Sequence, residues 1–260
     1  MICPVGLEFD RVIAGIHFYP VNFIHIIHSR PVNDEKAVDK EAQSFAEKID
    51  ENPYFNSQRH PTNILDLSEC IKTLQEIINL EKEADKIYIN VGTSSKIFTI
   101  ASIYVASIEP NRIHLFYPQA GSYIVMEIID LIKIALKEGL DKYENQLNDL
   151  IYEYENHGWT TSNKEDRYDF NMIDVPVIPF KPLTKAQKNI LNSLYENKKF
   201  ASTRDLISSL DDTQIPPQSI SRSLHQLQDL GLVIVSGKTR EKQISITSAG
   251  TVYKQTFLLD

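Results

Sequence analysis

The first 120 residues switch repeatedly between short continuous apolar runs and longer segments with apolar residues at a helical period. Ile2 to Gly6 is an apolar run ending at glycine, and Glu8-Phe9-Asp10 opens a helix through Val12, Ile13 and Ile16 to Pro20. Phe23 to His28 reads as a buried strand. Residues 34–51 place Ala37, Val38, Ala42, Phe45, Ala46 and Ile49 at helical spacing. Ile64-Leu65-Asp66-Leu67 reads as a short strand capped by Ser68, and Ile71, Leu74, Ile77, Ile78 and Leu80 mark a helix to about Asp85. Lys86 to Val91 is a strand ending at Gly92, followed by a helix from Ser95 through Ala106 and a strand from Arg112 to Tyr117. Strands alternating with helices predict crossover units on a Rossmann-like, mostly parallel α/β sheet, which gathers ligands at the carboxyl ends of its strands. Residues 124–156 follow as one or two amphipathic helices, suited to cover the sheet or to pair with a second subunit.

Residues 157–174 are polar and show no period, and Val175 to Pro182 holds three prolines in eight residues. Proline lacks the amide that helices and central strands need, so this stretch reads as an extended, stiff connector. The organisation expected is a first domain over residues 1–174, a linker over 175–182 and a second domain over 183–260.

In that second domain Thr184 caps a helix with Ile190, Leu191 and Leu194 inward, and a second helix runs from Thr203 to Leu210. Pro216-Pro217 opens a third, where proline is tolerated because first-turn amides are unpaired. Ile220, Leu224, Leu227 and Leu230 share one face of it, and the other face shows Gln218, Arg222, His225, Gln226 and Asp229. Gly231 stops it, and residues 232–236 and 243–247 read as two strands around the polar, mostly basic turn Gly237 to Lys242. Three helices and a basic hairpin in this order predict a winged helix-turn-helix that binds double-stranded DNA. Gln218, Ser219, Ser221, Arg222 and His225 would face the major groove, and Lys238, Arg240 and Lys242 would meet backbone phosphate. Ile246-Thr247-Ser248-Ala249-Gly250 resembles the Leu-Thr-x-x-Gly signature that closes the wing in many bacterial and archaeal regulators.

Composition changes this picture in one respect. A net charge of −8 argues against a nucleic-acid partner, but its distribution does not. Residues 1–182 carry 17 Lys/Arg against 28 Asp/Glu, whereas residues 183–260 carry 10 against 7. The basic half is therefore the one to meet phosphate. No apolar run approaches a bilayer span, Met1-Ile2-Cys3-Pro4 does not read as a signal peptide, and two cysteines make no disulfide framework or thiolate zinc site. A cytoplasmic protein without membrane attachment is expected.

The strongest chemical feature of the first domain is Asn90-Val91-Gly92-Thr93-Ser94-Ser95-Lys96, at a strand-to-helix junction. Small residues let backbone amides approach a ligand, hydroxyls add donors, the helix N-terminus favours negative charge and Lys96 supplies a cation. By spacing alone the same segment equally describes a Ser/Thr-capped helix with no ligand. It is neither a P-loop nor Gly-x-Gly-x-x-Gly. This segment resembles the motif after the fourth strand of the CARF domains (CRISPR-associated Rossmann folds), although the chain lacks glycine at 93 and 94. Pro4-Val5-Gly6-Leu7-Glu8-Phe9-Asp10-Arg11 looks like the first-strand loop of that family. One archaeal branch of the family appends a winged helix-turn-helix, so the resemblance covers most of the chain. It implies a homodimer whose symmetric pocket holds a cyclic oligoadenylate, typically the tetramer. Gly92, Thr93, Ser94, Ser95 and Lys96 would contact that ligand, and Gly6, Leu7 and Glu8 would line the pocket.

Other chemistries find less support. His25 and His28 lie three apart on a strand and point to opposite faces, and His17, His60, His114 and His157 are scattered. No metal site, cofactor or catalytic residue is expected, and no esterase elbow, kinase loop or zincin motif appears. Trp159 and Tyr168 read as loop anchors. The main reading is a ligand-responsive transcription regulator. The alternatives are a metal-independent ring nuclease using Lys96 and the hydroxyls of Thr93, Ser94 and Ser95, and a scaffold whose winged helix binds protein.

Overall fold

The computed structural model describes the chain except residues 31–36, 163–165, 180, 211–215, 238–242 and 259–260. The chain divides into two compact units, Met1–Ser102 with Leu115–Val175 and Ile103–His114 with Pro176–Asp260. Each is described by itself.

From the N-terminus strands and helices alternate: β1 (Ile2–Val5), α1 (Phe9–Phe18), β2 (Ile24–Ser29), α2 (Ala37–Asp50), β3 (Ser57–Thr62), α3 (Leu67–Leu80), β4 (Ile87–Asn90), α4 (Lys96–Ala106) and β5 (Ile113–Gln119), with the end of α4 and the start of β5 counted in the second unit. Then come β6 (Ser122–Tyr123), α5 (Ile124–Glu138), a 3-10 turn, α6 (Glu144–His157), β7 (Thr160–Thr161) and β8 (Asn171–Val175). Six strands form one sheet in the order β3-β2-β1-β4-β5-β8. β1 pairs parallel with β2 and β4, β2 pairs parallel with β3, and β8 runs antiparallel to β5. The fold is therefore mixed α/β with a mostly parallel, Rossmann-like sheet. β1 and β2 are buried throughout, as central strands covered on both faces must be, which explains their continuous apolar runs. Cys3, Val5, Val12, Ile13, Ile24, Ile26, Phe45, Ala46 and Ile49 make one core cluster between the sheet and the helices.

Two elements differ from the sequence reading. The stretch 64–67 is no strand: Asp66 accepts from the Glu69 amide at 2.9 Å and opens α3 at Leu67, whose inward residues are Cys70, Leu74, Ile77 and Ile78. The third strand lies upstream in Ser-Gln-Arg-His-Pro-Thr, a sheet-edge segment where backbone pairing with β2 suffices and proline is tolerated. The polar segment 157–174 also contributes strands: β7 pairs with β6, and β8 forms the other sheet edge.

The second unit contains α7 (Lys185–Asn197), β9 (Lys199–Phe200), α8 (Thr203–Ser209), α9 (Pro217–Asp229), β10 (Val233–Ser236), β11 (Gln243–Ile246) and α10 (Ser248–Phe257). Thr184 and Gln187 form a reciprocal capping box at the start of α7. Ile190, Leu191, Leu194, Leu206, Ile220, Leu224, Leu227, Leu232 and Ile244 pack into one core. β10 and β11 form an antiparallel hairpin, and β9 adds to β11 as a third strand. Gly231 has φ +67°, the left-handed conformation that ends a helix most cheaply as glycine. Thr247 caps α10 by accepting from the Gly250 amide at 2.9 Å, and any Cβ at Gly250 would collide with the Leu232 carbonyl. That pair of demands is the physical content of the Thr-x-x-Gly spacing. No helix among the described residues is long and apolar enough to cross a membrane.

Candidate functional site

The sheet order reverses at β1 and β4: from β1 the chain proceeds outward to β2 and β3, then returns to place β4 on the other side. In open α/β sheets the crevice beyond such a switch point is where ligands bind. The loop after β1 is Gly6-Leu7-Glu8, and the loop after β4 is Val91 to Ser95. The fold thus brings both sequence-predicted segments to the same end of neighbouring strands.

Contacts tie the two loops together. Thr93, 2% exposed, donates its hydroxyl to the Pro4 carbonyl at 2.5 Å. A Cβ on Gly6 would lie 2.6 Å from the Thr93 carbonyl oxygen, so glycine is required by this close approach. Asn90, fully buried, donates from Nδ2 to the Arg11 carbonyl at 3.2 Å, and its Oδ1 accepts from the Gly92 amide at 2.9 Å. Ser95 donates to the Ile64 carbonyl and accepts from the Phe98 amide at 3.1 Å, which makes it the cap of α4. The hydroxyls of Thr93 and Ser95 are thereby engaged with the main chain. Ser94 and Gly92 are half-buried and Lys96 is exposed at the first turn of α4. Leu7 is half-buried; its carbonyl accepts from the Trp159 amide at 2.8 Å, so the segment after α6 lies against the first loop.

The sequence reading passed over the charged residues at the start of α1. Arg11, 2% exposed, reaches across to β5: Nε donates to the Pro118 carbonyl at 2.7 Å and the guanidinium lies 4.7 Å from the Tyr117 ring centroid. Its Nη1 donates to Glu8 Oε2 at 2.6 Å. Asp10, also buried, meets His157 Nδ1 through Oδ1 at 3.1 Å, while Oδ2 has no hydrogen-bond partner among the described residues. Burial pushes the Asp10 carboxyl up to about 7, against the opposing pull of Arg167. Burial likewise lowers His157, with the positive charge of Arg167 adding to it. The one available signal was adjacency: two charged residues precede Val12 and Ile13 in a helix only ten residues long.

Elsewhere in the unit, His25 bridges His60 and Glu81, at 3.0 Å from each. Its two ring nitrogens engage these partners on separate sides, so the three do not converge. Among the described residues no group of three or more His, Cys, Asp or Glu is placed to hold a metal ion. A groove of about 510 Å³ lies apart from the two loops, lined by Arg30, Asp66, Glu69, Lys72 and Glu76 among others. Its charges are mixed, and Arg30 is already paired with Glu69 at 2.7 Å.

In the second unit, Gln218, Ser219, Ser221, Arg222 and His225 are all exposed on α9, while Ile220, Leu224 and Leu227 are buried. Gln226, on the predicted outer face, is half-buried and accepts from Gln187 at 2.9 Å. Lys238, Arg240 and Lys242 lie outside the described residues.

Residues 1–123 match a family model described as "HFX_2341_N:-like, N-terminal". No curated protein matches the chain. Among solved structures, the chain is similar to Enterococcus italicus Csm6 bound to cyclic hexa-2'-fluoro-hexa-dAMP, with a TM-score of 0.44 and 12% identity over 88% of this chain and 54% of that one. It is also similar to Can2 from Sulfobacillus thermosulfidooxidans in complex with cyclic tetra-adenylate, with a TM-score of 0.35 and 10% identity over 97% of this chain and 60% of that one. The chain therefore spans between half and two thirds of the length of either protein.

Proposed function

We propose that this protein is a ligand-responsive transcription regulator. Its first unit binds a cyclic oligoadenylate, cyclic tetra-adenylate in particular, and its residues 183–260 bind double-stranded DNA as a winged helix-turn-helix. The observation that carries the proposal is the meeting of Gly6-Leu7-Glu8 and Gly92 to Lys96 at the switch point of the sheet. Asn90, Gly92, Ser95 and Lys96 occupy the positions through which the chain resembles the CARF domains. A cyclic tetranucleotide has a symmetry that matches a two-fold homodimer, so one ring satisfies two copies of the same loop pair.

The helix order of the second unit, its antiparallel hairpin and the exposed polar row on α9 support the DNA-binding half of the reading. Sensing is favoured over ring cleavage because the hydroxyls of Thr93 and Ser95 are committed to main-chain partners. Only Ser94 and Lys96 of that set are left to act on a ligand.

Ligand binding would then shift operator affinity roughly 5- to 150-fold, the usual range of allosteric coupling. The test is a mobility-shift titration on DNA from upstream of the protein's own coding region, with and without cyclic tetra-adenylate. Equal affinity in both arms rejects the ligand, and absence of salt-dependent DNA binding rejects the DNA-binding domain.

A further inference from the structure

Arg11 is a buried cation with unfinished hydrogen bonding. A guanidinium carries five N–H groups in a fixed fork. In this structure Nε is used by the Pro118 carbonyl, Nη1 by Glu8, and one face by the Tyr117 ring. Nη2 is buried and has no hydrogen-bond partner among the described residues. A buried charged donor left without an acceptor is costly, and native proteins retain one where something else repays it. The position of Nη2 is informative. A Cβ built on Gly92 would lie 2.6 Å from it, so the unpartnered nitrogen abuts the backbone of the loop after β4. Glu8, its ion-pair partner among the described residues, belongs to the loop after β1. Arg11 therefore stands between the two loops of the candidate site, paired with Glu8 on one side and buried without a hydrogen-bond partner among the described residues on the other.

Glu8 can leave. Its side chain is 20% exposed against 2% for Arg11, and it makes no capping hydrogen bond to α1 despite standing at the N-cap position. Its release into water breaks the ion pair and frees Nη1, beside the buried, unpartnered Nη2. An arriving phosphodiester carries one negative charge and presents two oxygens at the spacing of a carboxylate, so it fits the same fork. Charge is conserved in the exchange: Arg11 loses one anion and gains another.

We infer that Arg11 is the anion-recognition residue of this site, and that Glu8 is a built-in competitor which a phosphodiester of the ligand displaces. The inference rests on the site reading above, and it gives a ligand role to Arg11, which the resemblance places in the first-strand loop without assigning it a contact. It also gives the loop a reason to move, because the displaced residue is the one that starts α1.

The test is isothermal titration of the full-length protein and of E8Q, R11Q and R11K with two probes, cyclic tetra-adenylate and inorganic pyrophosphate. E8Q removes the competitor at a partly exposed position and should tighten binding by about three- to tenfold. R11Q should weaken it by about ten- to a hundredfold, and R11K should lie between because it keeps the charge and loses the fork. Thermal melts show whether the Arg11 variants fold, and if they do not, E8Q alone decides. Ring binding that is unchanged within about twofold in E8Q, or in a folded R11Q, overturns the inference and leaves the cyclic-ligand reading intact. Pyrophosphate binding that tightens in E8Q without any ring binding does the reverse. Binding of neither probe to the wild-type protein overturns the inference.

Discussion

Asp10 gives a prediction whose sign and size both come from geometry. Its carboxylate is 1% exposed, one oxygen faces His157, and the other has no hydrogen-bond partner among the described residues. Burial raises its folded value from 3.8 to about 7. A carboxyl raised on folding contributes most stability when protonated, so its contribution is complete below pH 3.8 and is lost as pH rises through 7. The full displacement corresponds to a penalty of about 4 kcal/mol at pH 8 and about 1.6 kcal/mol at pH 5. Water entering beside the ionised group roughly halves both figures, leaving about 2 kcal/mol at pH 8. Asn at this position keeps the shape and cannot ionise. D10N should therefore raise stability at pH 8 by about 2 kcal/mol, or about 4–8 °C in Tm, and by less than half of that at pH 5. The assay is differential scanning fluorimetry of both proteins across pH 5 to 8, reading the difference so that other titrating groups cancel. If D10N is the less stable protein at pH 8, Asp10 is held as a favourable carboxylate–imidazolium pair and the argument from burial is wrong.

Gly92→Ala should cost about 1–3 kcal/mol in a thermal or urea melt, because its Cβ would meet Arg11 Nη2 at 2.6 Å and Pro118 Cδ at 3.0 Å. An unchanged melt would show that Arg11 moves aside freely. Thr184→Ala removes the hydroxyl that accepts the 3.4 Å bond from the Gln187 amide and leaves in place the 2.8 Å bond from its own backbone amide to the Gln187 side chain. It should lower stability by about 1 kcal/mol, read by urea unfolding of the full chain. His25 is held neutral by burial, below its ordinary 6.5, with Nε2–H directed at Glu81 and Nδ1 at His60. Its contribution is present above pH 6.5 and is lost as pH falls through the lowered folded value, so H25Q should be less stable at pH 7.5 with a flatter acid limb. Equal slopes for the two proteins would remove His25 from the acid response.

What the sequence reading captured and what it missed divide along one physical line. β1, β2 and β4 are buried on both faces, so burial alone forces apolar runs, and those runs were legible. α9 must bury Ile220, Leu224 and Leu227 while Gln218, Arg222 and His225 stay wet, and a 3.6-residue period records that demand directly. β3 and β8 carry no such record. They are the edges of the sheet, held by backbone pairing to β2 and β5, and Ser-Gln-Arg-His-Pro-Thr or Asn-Met-Ile-Asp-Val satisfies that pairing as well as many other sequences would.

The same division explains the site. Ser95 was visible because its constraint is local, a helix cap, and Gly92 was visible as a small residue at the strand-to-helix junction, although the side chains it makes room for, Arg11, Tyr117 and Pro118, lie far along the chain. Arg11 and Asp10 were not, because their burial depends on partners far along the chain, Pro118 and His157 respectively, and only the Glu8–Arg11 pair is local. A charged residue in the first turn of a short helix ordinarily faces water, and a Glu8–Arg11 pair three residues apart fits a wet helix face equally well. Their burial becomes intelligible once β5 and the segment after α6 close over α1. The chemistry of the site thus has two layers, a loop motif that local sequence encodes and a buried charge set that only the fold assembles. The spacing of the loop residues does not report how the second layer is buried, and it is the second that contains, among the described residues, a nitrogen and a carboxylate oxygen without hydrogen-bond partners.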